Sequence, residues 1–501
     1  MNTIANTPLP GTVRQPNYDR RALRSRIVHL GFGAFHRAHQ ALLTDRVLNA
    51  HGGDWGICEI SLSGGVPLFE TLRQQDHLYS VLEKGADGHQ AIVIGAVRES
   101  LHRKLEGIAA VLEKLAEPQV AIVSMTITEK GYCIEPGSGR LDRQHSGIVA
   151  DLAWPHQPQT VPGILVEALR LRRERGLPAF SLLSCDNIPE NGHVLRRAVL
   201  DLAQARDPSL ADWIASAATF PCTMVDRIVP AATPATLDEI ATALGGVRDE
   251  CAIACEPFIQ WVVEDNFTAG RPAWELAGAQ LVSDVLPFEH MKLRMLNGSH
   301  SFLAYLGYLG GYRYINECMA DEHYRRAALR LMLDEQAPTL SVTGISLPDY
   351  AAQLIARFSN PALQHLTWQI AMDGTQKLPQ RLLDAIRWHL ARGSRFDCLA
   401  LGVAGWMRYV GGRDEQGEPI AISDPLRERL AALVAGSEEG RPRVLALLQL
   451  DSVFGRDLPD SPDFVHAVSH AYHQLLSLGA KAAVAALPLT DREVSDDRHH
   501  A

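Results

Sequence analysis

The sequence predicts an α/β chain in two parts, a doubly wound domain over residues 1–285 and a mainly α-helical domain over residues 286–501. Two observations carry this. In the first part, short apolar or β-branched runs alternate with helical stretches, the pattern of parallel strands whose crossovers cover both faces of a sheet. From about residue 286 the apolar residues recur at three and four, which makes amphipathic helices that pack on one another.

In chain order, "RIVHLG" (26–31) reads as a strand leading into the helical "HRAHQALLTDRVLNA", and "WGICEISL" (55–62) reads as the next strand. "QAIVIGAV" (90–97) follows, ahead of the helix "LEGIAAVLEKLA", then "VAIVSMTIT" (120–128) and "FSLLSCDN" (180–187), the last before "HVLRRAVLDLAQA". In the second part "KLRMLNGSHSFLAYLGYL", "YRRAALRLMLDEQ", "LPDYAAQLIARF", "LPQRLLDAIRWHLARG", "DPLRERLAALVAG" and "SPDFVHAVSHAYHQLLSLG" read as helices. No internal repeat appears, and the polar tail "TDREVSDDRHHA" reads as a frayed end.

Composition narrows the class of function. Hydrophobic residues make up 46% and charged residues 21%, a balance that suits a globular enzyme and excludes bulk disorder. The net charge of -10 comes without a basic stripe, which argues against nucleic acid as a partner. The first twenty residues lack a signal-like apolar core, and no later stretch approaches the ~18 apolar residues that span a bilayer. A cytoplasmic protein with no membrane partner is expected. The 8 cysteines lie mostly in apolar runs such as "WGICEI" and "FPCTMV" and read as small buried hydrophobes. Cys251 and Cys255 form the one close pair, and no second Cys/His pair lies nearby to complete a tetrahedral metal site.

"IVHLGFGAFH" places Gly31 and Gly33 between a predicted strand and a predicted helix, the context a dinucleotide loop requires. Gly31 would permit the tight turn. Gly33 would let the backbone approach a pyrophosphate at the helix N-terminus, where unpaired N–H groups favour anions. Phe32, Ala34 and Phe35 belong to the same loop, and His36 stands where a third glycine is usual. A bare G-x-G also fits a plain strand-to-helix turn, and its place in the first βα unit is what favours the cofactor. His36 and His39 have a spacing that could hold a metal, but no H-E-x-x-H pattern accompanies them, and packing is the better account. Glu59 lies inside the second strand and reads as structural, and "SGGVP" after it offers neither a carboxylate for a ribose diol nor an Arg for a 2′-phosphate. The missing Arg tilts the expectation to NAD, with NADP left open.

"MKLRMLNGSHSFLAYLGYLGGY" is the most specific stretch. At roughly 100° per residue, Lys292, Asn297 and His300 fall within an arc of about 140° on one helix, and Arg294 points elsewhere. A metal-free alcohol dehydrogenase needs a base for the hydroxyl proton and donors for the alkoxide. A desolvated lysine with a lowered pKa can be that base. Spacing alone fits a solvated lysine and packing polar groups better.

"GFGAFHRAHQ", "TITEKGYC", "SCDN", "TMVDRIVP", "CEPFIQWVVEDNF" and "MKLRMLNGSHS" together resemble the mannitol dehydrogenase family of polyol-specific long-chain dehydrogenases, over nearly the whole chain. Within it the chain looks closest to the mannonate oxidoreductase (fructuronate reductase) branch and its unassigned bacterial relatives. The resemblance implies a Rossmann-type N-terminal domain, a helical C-terminal domain, a cleft active site, and no metal. It implies Lys292 as general acid/base, Asn187 and Asn297 as donors to the alkoxide, and His300 on substrate hydroxyls. Asp226, Glu129 and Glu289 match acidic positions near the substrate or its proton path. Family members that favour NAD through an Asp after the second strand differ here, where the loop reads "SGGVP". Members are often monomeric or weakly associated.

A hexuronate differs from a hexitol by a terminal carboxylate, which wants a cation. "MDGTQKLPQR" offers Lys377 and Arg381 as substrate-binding candidates. A lysine also occurs here in mannitol-type enzymes, and Arg381 is more simply read as solvated at the surface. The expected activity is NAD-dependent interconversion of alcohol and ketone on an acyclic C6 sugar derivative, first D-mannonate/D-fructuronate, alternatively D-mannitol/D-fructose or another polyol. A reading of a different class is a non-catalytic NADH sensor, against which the Lys292, Asn297 and His300 set argues.

Overall fold

A computed structural model describes all residues except 1–2, 86–87, 136–138, 364 and 489–501, so the polar tail from Thr490 lies outside the described residues. The chain divides into two compact units, Met1–Leu286 and Pro287–Ala501. Among the described residues, no helix is long and apolar enough to cross a membrane.

The first unit holds the strands β1 (Arg24–Leu30), β2 (Trp55–Ser61), β3 (Tyr79–Gly85), β4 (Gly88–Ile94), β5 (Val97–His102), β6 (Ile122–Met125), β7 (Ser181–Ser184), β8 (Thr223–Asp226), β9 (Ile253–Cys255), β10 (Gln260–Glu264) and β11 (Gln280–Val282). Five of them form one parallel sheet in the order β5-β2-β1-β6-β7. Every residue of β6 and β7 is buried, which is why these strands read as continuous apolar runs. The chain adds strands on one side of β1 and then returns to the other side at β6. That reversal opens a crevice at the C-terminal ends of β1 and β6, the place where doubly wound sheets bind ligands.

"QAIVIGAV" is not one strand of this sheet. Gln90–Ile94 belongs to β4, which runs antiparallel to β3 in a separate three-stranded sheet, β4-β3-β9. The main-sheet strand begins at Val97 and runs on through "VRESLH". As the edge strand, β5 alternates buried and wetter positions, so it lacks the apolar run that identifies its neighbours.

The second unit is helical around one core that extends from Met291 to Val484. Its first long segment is not a single α-helix. The chain forms an α-helix at Leu286–Met291, a π-helix at Lys292–Gly298 and an α-helix at Ser299–Leu309. Two further π segments, Leu331–Gln336 and Pro379–Leu383, pack against the first. A Cβ on Gly298 would lie 2.3 Å from Gln336 Nε2 and 2.7 Å from the Arg381 carbonyl oxygen, so the three segments meet where only hydrogen fits.

Candidate active site

The turn after β1 has the geometry of a phosphate cradle. Gly31 has φ +108°, and a Cβ there would come within 2.4 Å of the Thr126 carbonyl oxygen. Thr126 Oγ1 donates to the Gly31 carbonyl at 3.0 Å, fixing β1 to β6 at the switch point. Gly33 caps the helix Ala34–Ala38 without a side-chain acceptor, and a Cβ on it would meet nothing within 4 Å. No side chain caps this helix start and the space beside Gly33 is open, which fits a dinucleotide's pyrophosphate. Phe32 packs inward, edge-to-face on Phe69 and Tyr79, and Phe35 stacks on His39 at 4.7 Å. Through this part of the turn the loop offers backbone more than side chain.

His36 turns away from the loop surface. It is buried with its Nε2 2.7 Å from Glu59 Oε1, and its ring lies 3.4 Å from that of His29 at an interplanar angle of 11°. Burial holds His36 down at about 3 and pushes Glu59 up to about 7, so at neutral pH the imidazole is uncharged and the carboxyl is about half protonated. The ligand atoms of His29, His36 and Glu59 lie within 4.8 Å of one another, a grouping sequence spacing does not reveal. It does not suit an ion: imidazole lone pairs lie in the ring plane, and two stacked rings cannot both aim at one metal. His29 is also engaged, with Ser124 at 2.8 Å and with Gly31 and Thr126 at 3.0 Å. His39, the other half of the spaced pair, faces the Gln260 carbonyl at 3.0 Å. Ser61 donates to Gly64 within "SLSGG", and no carboxylate stands in that turn.

Three other candidates of the first unit sit at strand ends. Asn187 follows β7 and is exposed, Glu129 opens a short 3-10 turn (Glu129–Tyr132) after β6, also exposed, and Asp226 ends β8 in a buried position. Asn187 and Glu129 thus share the C-terminal edge of the parallel sheet with the Gly31 turn.

In the second unit Glu289, Lys292, Asn297 and His300 are all buried. Because Lys292–Gly298 is π-helical, the 100° step does not apply between Lys292 and Asn297, and the one-wall argument from α-helical geometry is replaced by this local winding. Asn297 Nδ2 and His300 Nε2 have no hydrogen-bond partner among the described residues. His300 stacks on Phe358 at 4.4 Å and stands edge-on to His365 at 5.7 Å. Burial first, then His365, Arg357, Arg381 and Lys377, hold the His300 imidazole well below its usual range.

Arg381 corrects the surface expectation. Its guanidinium is enclosed, with Nη1 donating to Ser301 Oγ at 3.1 Å and to the Asn297 carbonyl at 3.4 Å, and Nε has no partner among the described residues. Burial pulls it down to about 10. Lys377 donates to the carbonyls of Met372 at 2.5 Å and Ile370 at 3.3 Å, and burial with the neighbouring Arg381 lowers it to about 8. Arg294 turns the other way and donates to Thr339. Thr126, Asp186, Arg357 and His365 carry site geometry that sequence reasoning missed. Of these, Thr126, inside "TITEKGYC", and Asp186, inside "SCDN", lay in stretches that already stood out.

The Mannitol dehydrogenase Rossmann domain model matches residues 25–276, and the Mannitol dehydrogenase C-terminal domain model matches residues 284–476. An uncharacterised oxidoreductase of Escherichia coli K12, YeiQ, is 63% identical over 97% of this chain and 99% of its own length. The D-mannonate oxidoreductase of the same organism is 58% identical over 97% of this chain and 100% of its own. The solved ternary complex of Pseudomonas fluorescens mannitol 2-dehydrogenase with NAD and D-mannitol aligns at a TM-score of 0.82 with 39% identity, covering 95% of this chain and 96% of that one. With both domains matched and identity this high over full length, the chain belongs to the mannitol dehydrogenase family of oxidoreductases.

Proposed function

We propose that this chain is an NAD-dependent oxidoreductase that interconverts D-mannonate and D-fructuronate. The D-mannonate oxidoreductase relative supports the substrate, and the NAD-bound relative together with the open Gly31–Gly33 turn supports the cofactor. The observation that carries the choice of a sugar acid over a polyol is the charge around His300. Arg357 and Arg381 both act on that imidazole, and the orphan groups beside it include the N–H donors Asn297 Nδ2 and Arg381 Nε. Such a surround attracts an anionic, acceptor-rich ligand.

Bound NAD supplies the hydride acceptor. Lys292 Nζ takes the hydroxyl proton in oxidation and returns it in reduction. Asn187 and Asn297 donate to the oxygen as it gains negative charge, and their donors are worth most in a site closed to water. His300, uncharged at neutral pH, can donate from one ring nitrogen and accept at the other, which suits a row of hydroxyls. Asp226 is the substrate-orienting carboxylate, and Glu129 and Glu289 are the groups that move the proton. The proton step is assigned to Lys292 and asks for no metal.

Steady-state assays with D-mannonate/D-fructuronate and D-mannitol/D-fructose, each with both nicotinamide cofactors, test this. The sugar acid pair with NAD should give the higher kcat/KM, and absence of turnover on both pairs would overturn the reading. In Lys292→Ala, kcat should fall by about 10³ or more while NADH binding survives. Unchanged turnover would remove the lysine from the proton step. The alternative polyol substrate rests on the D-mannitol complex of the 39% identical relative, and the same assays decide it.

A further inference from the structure

Asp186 lies one residue before Asn187 and is buried at the end of β7. Its carboxylate reaches across to the segment that follows β6. Oδ2 accepts the Ile127 amide at 3.0 Å and Oδ1 accepts the Thr128 amide at 2.9 Å. The Tyr132 hydroxyl, at the far end of the Glu129–Tyr132 turn, donates to Oδ2 at 2.6 Å and also meets Ser184 Oγ at 2.6 Å. One carboxylate therefore grips the turn that presents Glu129 on both sides. From the other end, the Asp186 carbonyl accepts Asn191 Nδ2 at 3.0 Å, and the same amide holds the Thr223 carbonyl at 2.9 Å. Asn187 is thus suspended between two fixed points.

Between the two gripped amides and the tyrosine sits Thr128, with φ +63° and ψ 164°. That region is close to glycine's alone, and a β-branched residue stays there only when its surroundings hold it. Burial pushes the Asp186 carboxyl above its usual range, while Tyr132 and the two amides pull it back toward the ionised form that can accept from all three.

We infer that Asp186 is a positioning residue, which holds Thr128 in its glycine-like conformation and so fixes Glu129 and Asn187 on one edge of the sheet. The inference rests on the proposed dehydrogenase reading for what Glu129 and Asn187 do, and on the geometry alone for what Asp186 does. It names no contact between Asp186 and substrate.

The test uses the full chain. Asp186→Asn keeps one acceptor and turns an NH₂ toward amide or hydroxyl hydrogens. Its kcat should drop by about 100-fold, with KM for NAD within threefold of wild type. Tyr132→Phe removes one of the three donors and should cost less than tenfold. Thr128→Gly placed in the Asp186→Asn background should recover at least tenfold of the lost kcat, because glycine adopts that backbone without the carboxylate's help. A carboxylate that only stabilised the fold would lower Tm and leave no such rescue. Amide hydrogen exchange over residues 126–132 is read alongside and needs no turnover: it should quicken at least tenfold in Asp186→Asn and less in Tyr132→Phe. Wild-type turnover with unaltered kcat in Asp186→Asn, or unaltered exchange in this segment, overturns the inference. Failure of wild type on both sugar pairs with quickened exchange overturns the dehydrogenase reading and leaves the anchoring role standing.

Discussion

Two glycines two residues apart separate what holds this fold from what is proposed to hold its cofactor. A methyl group on Gly31 would meet the Thr126 carbonyl oxygen at 2.4 Å, and φ +108° is strained for any side chain. A methyl on Gly33 would meet nothing within 4 Å. Gly31→Ala should therefore destabilise the protein by about 2–4 kcal/mol. Gly33→Ala should leave Tm nearly unchanged, within about 0.5 kcal/mol of wild type. It should weaken NADH at least tenfold if the pyrophosphate approaches there, because a methyl would occupy the space the phosphate needs. Chemical unfolding paired with NADH fluorescence titration gives both numbers. Equal NADH affinity in Gly33→Ala would move the pyrophosphate away from this turn. The role of Gly31 was legible in the residues, since a strand ending in G-x-G leaves few other conformations. His36 was legible only as an exception to the fingerprint. Its partner Glu59 is 23 positions away, and strand pairing, not spacing, brings them together.

At the scale of the element, the unforeseen feature is the π winding of Lys292–Gly298 against two other π segments. Three- and four-residue periodicity locates the helix correctly, because its apolar face is still buried, but periodicity cannot see a local change from i→i+4 to i→i+5 bonding. Packing supplies the cause: Gly298 lies against Gln336 Nε2 and the Arg381 backbone with no room for a methyl. Gly298→Ala should cost about 1–3 kcal/mol by overpacking, and it should lower kcat more than KM for NAD because Asn297 is its neighbour. A variant with unchanged Tm and kcat would show that the segments can part freely. Edge strand β5 escaped notice for a different reason. Its polar alternation resembles surface, and the strand is fixed by pairing with β2, information that lies 40 residues away between Ile57 and Val97.

For the whole molecule, the largest parts were the most readable: a parallel sheet followed by a helical unit follows from hydrophobic periodicity, which is a property of long segments. The candidate site's residues could be nominated where one stretch carries them, as with Lys292, Asn297 and His300, and not where their placement depends on contacts between strands, as with Asp186 and Thr126. One buried group also sets how stability varies with pH. The Glu59 carboxyl is raised by burial from 4.5 to about 7, so the folded state holds its proton over a range in which the unfolded chain has released it. Stability is then full below about pH 4.5 and falls as pH rises through about 7, by an amount on the order of 3 kcal/mol. His36 runs the opposite way, since its pKa is lowered to about 3 and its contribution is lost as pH falls. It is present in both proteins of a comparison with Glu59→Gln and cancels. The Tm difference, wild type minus Glu59→Gln, should therefore be several degrees more favourable to wild type at pH 5 than at pH 8, measured by calorimetry. A difference independent of pH would mean that Glu59 stays charged inside the fold.

The π-helical start of the Lys292 stretch has a consequence for how such a chain can change. A π turn spends one residue more than the α turn it replaces. Deleting a single residue between Lys292 and Gly298 would let the segment relax into ordinary α-helix, with better backbone bonding and easier folding. It would also rotate Lys292 relative to Asn297 and His300, and so trade activity for stability in one step. The extra residue that such a deletion would remove lies within the seven residues Lys292–Gly298.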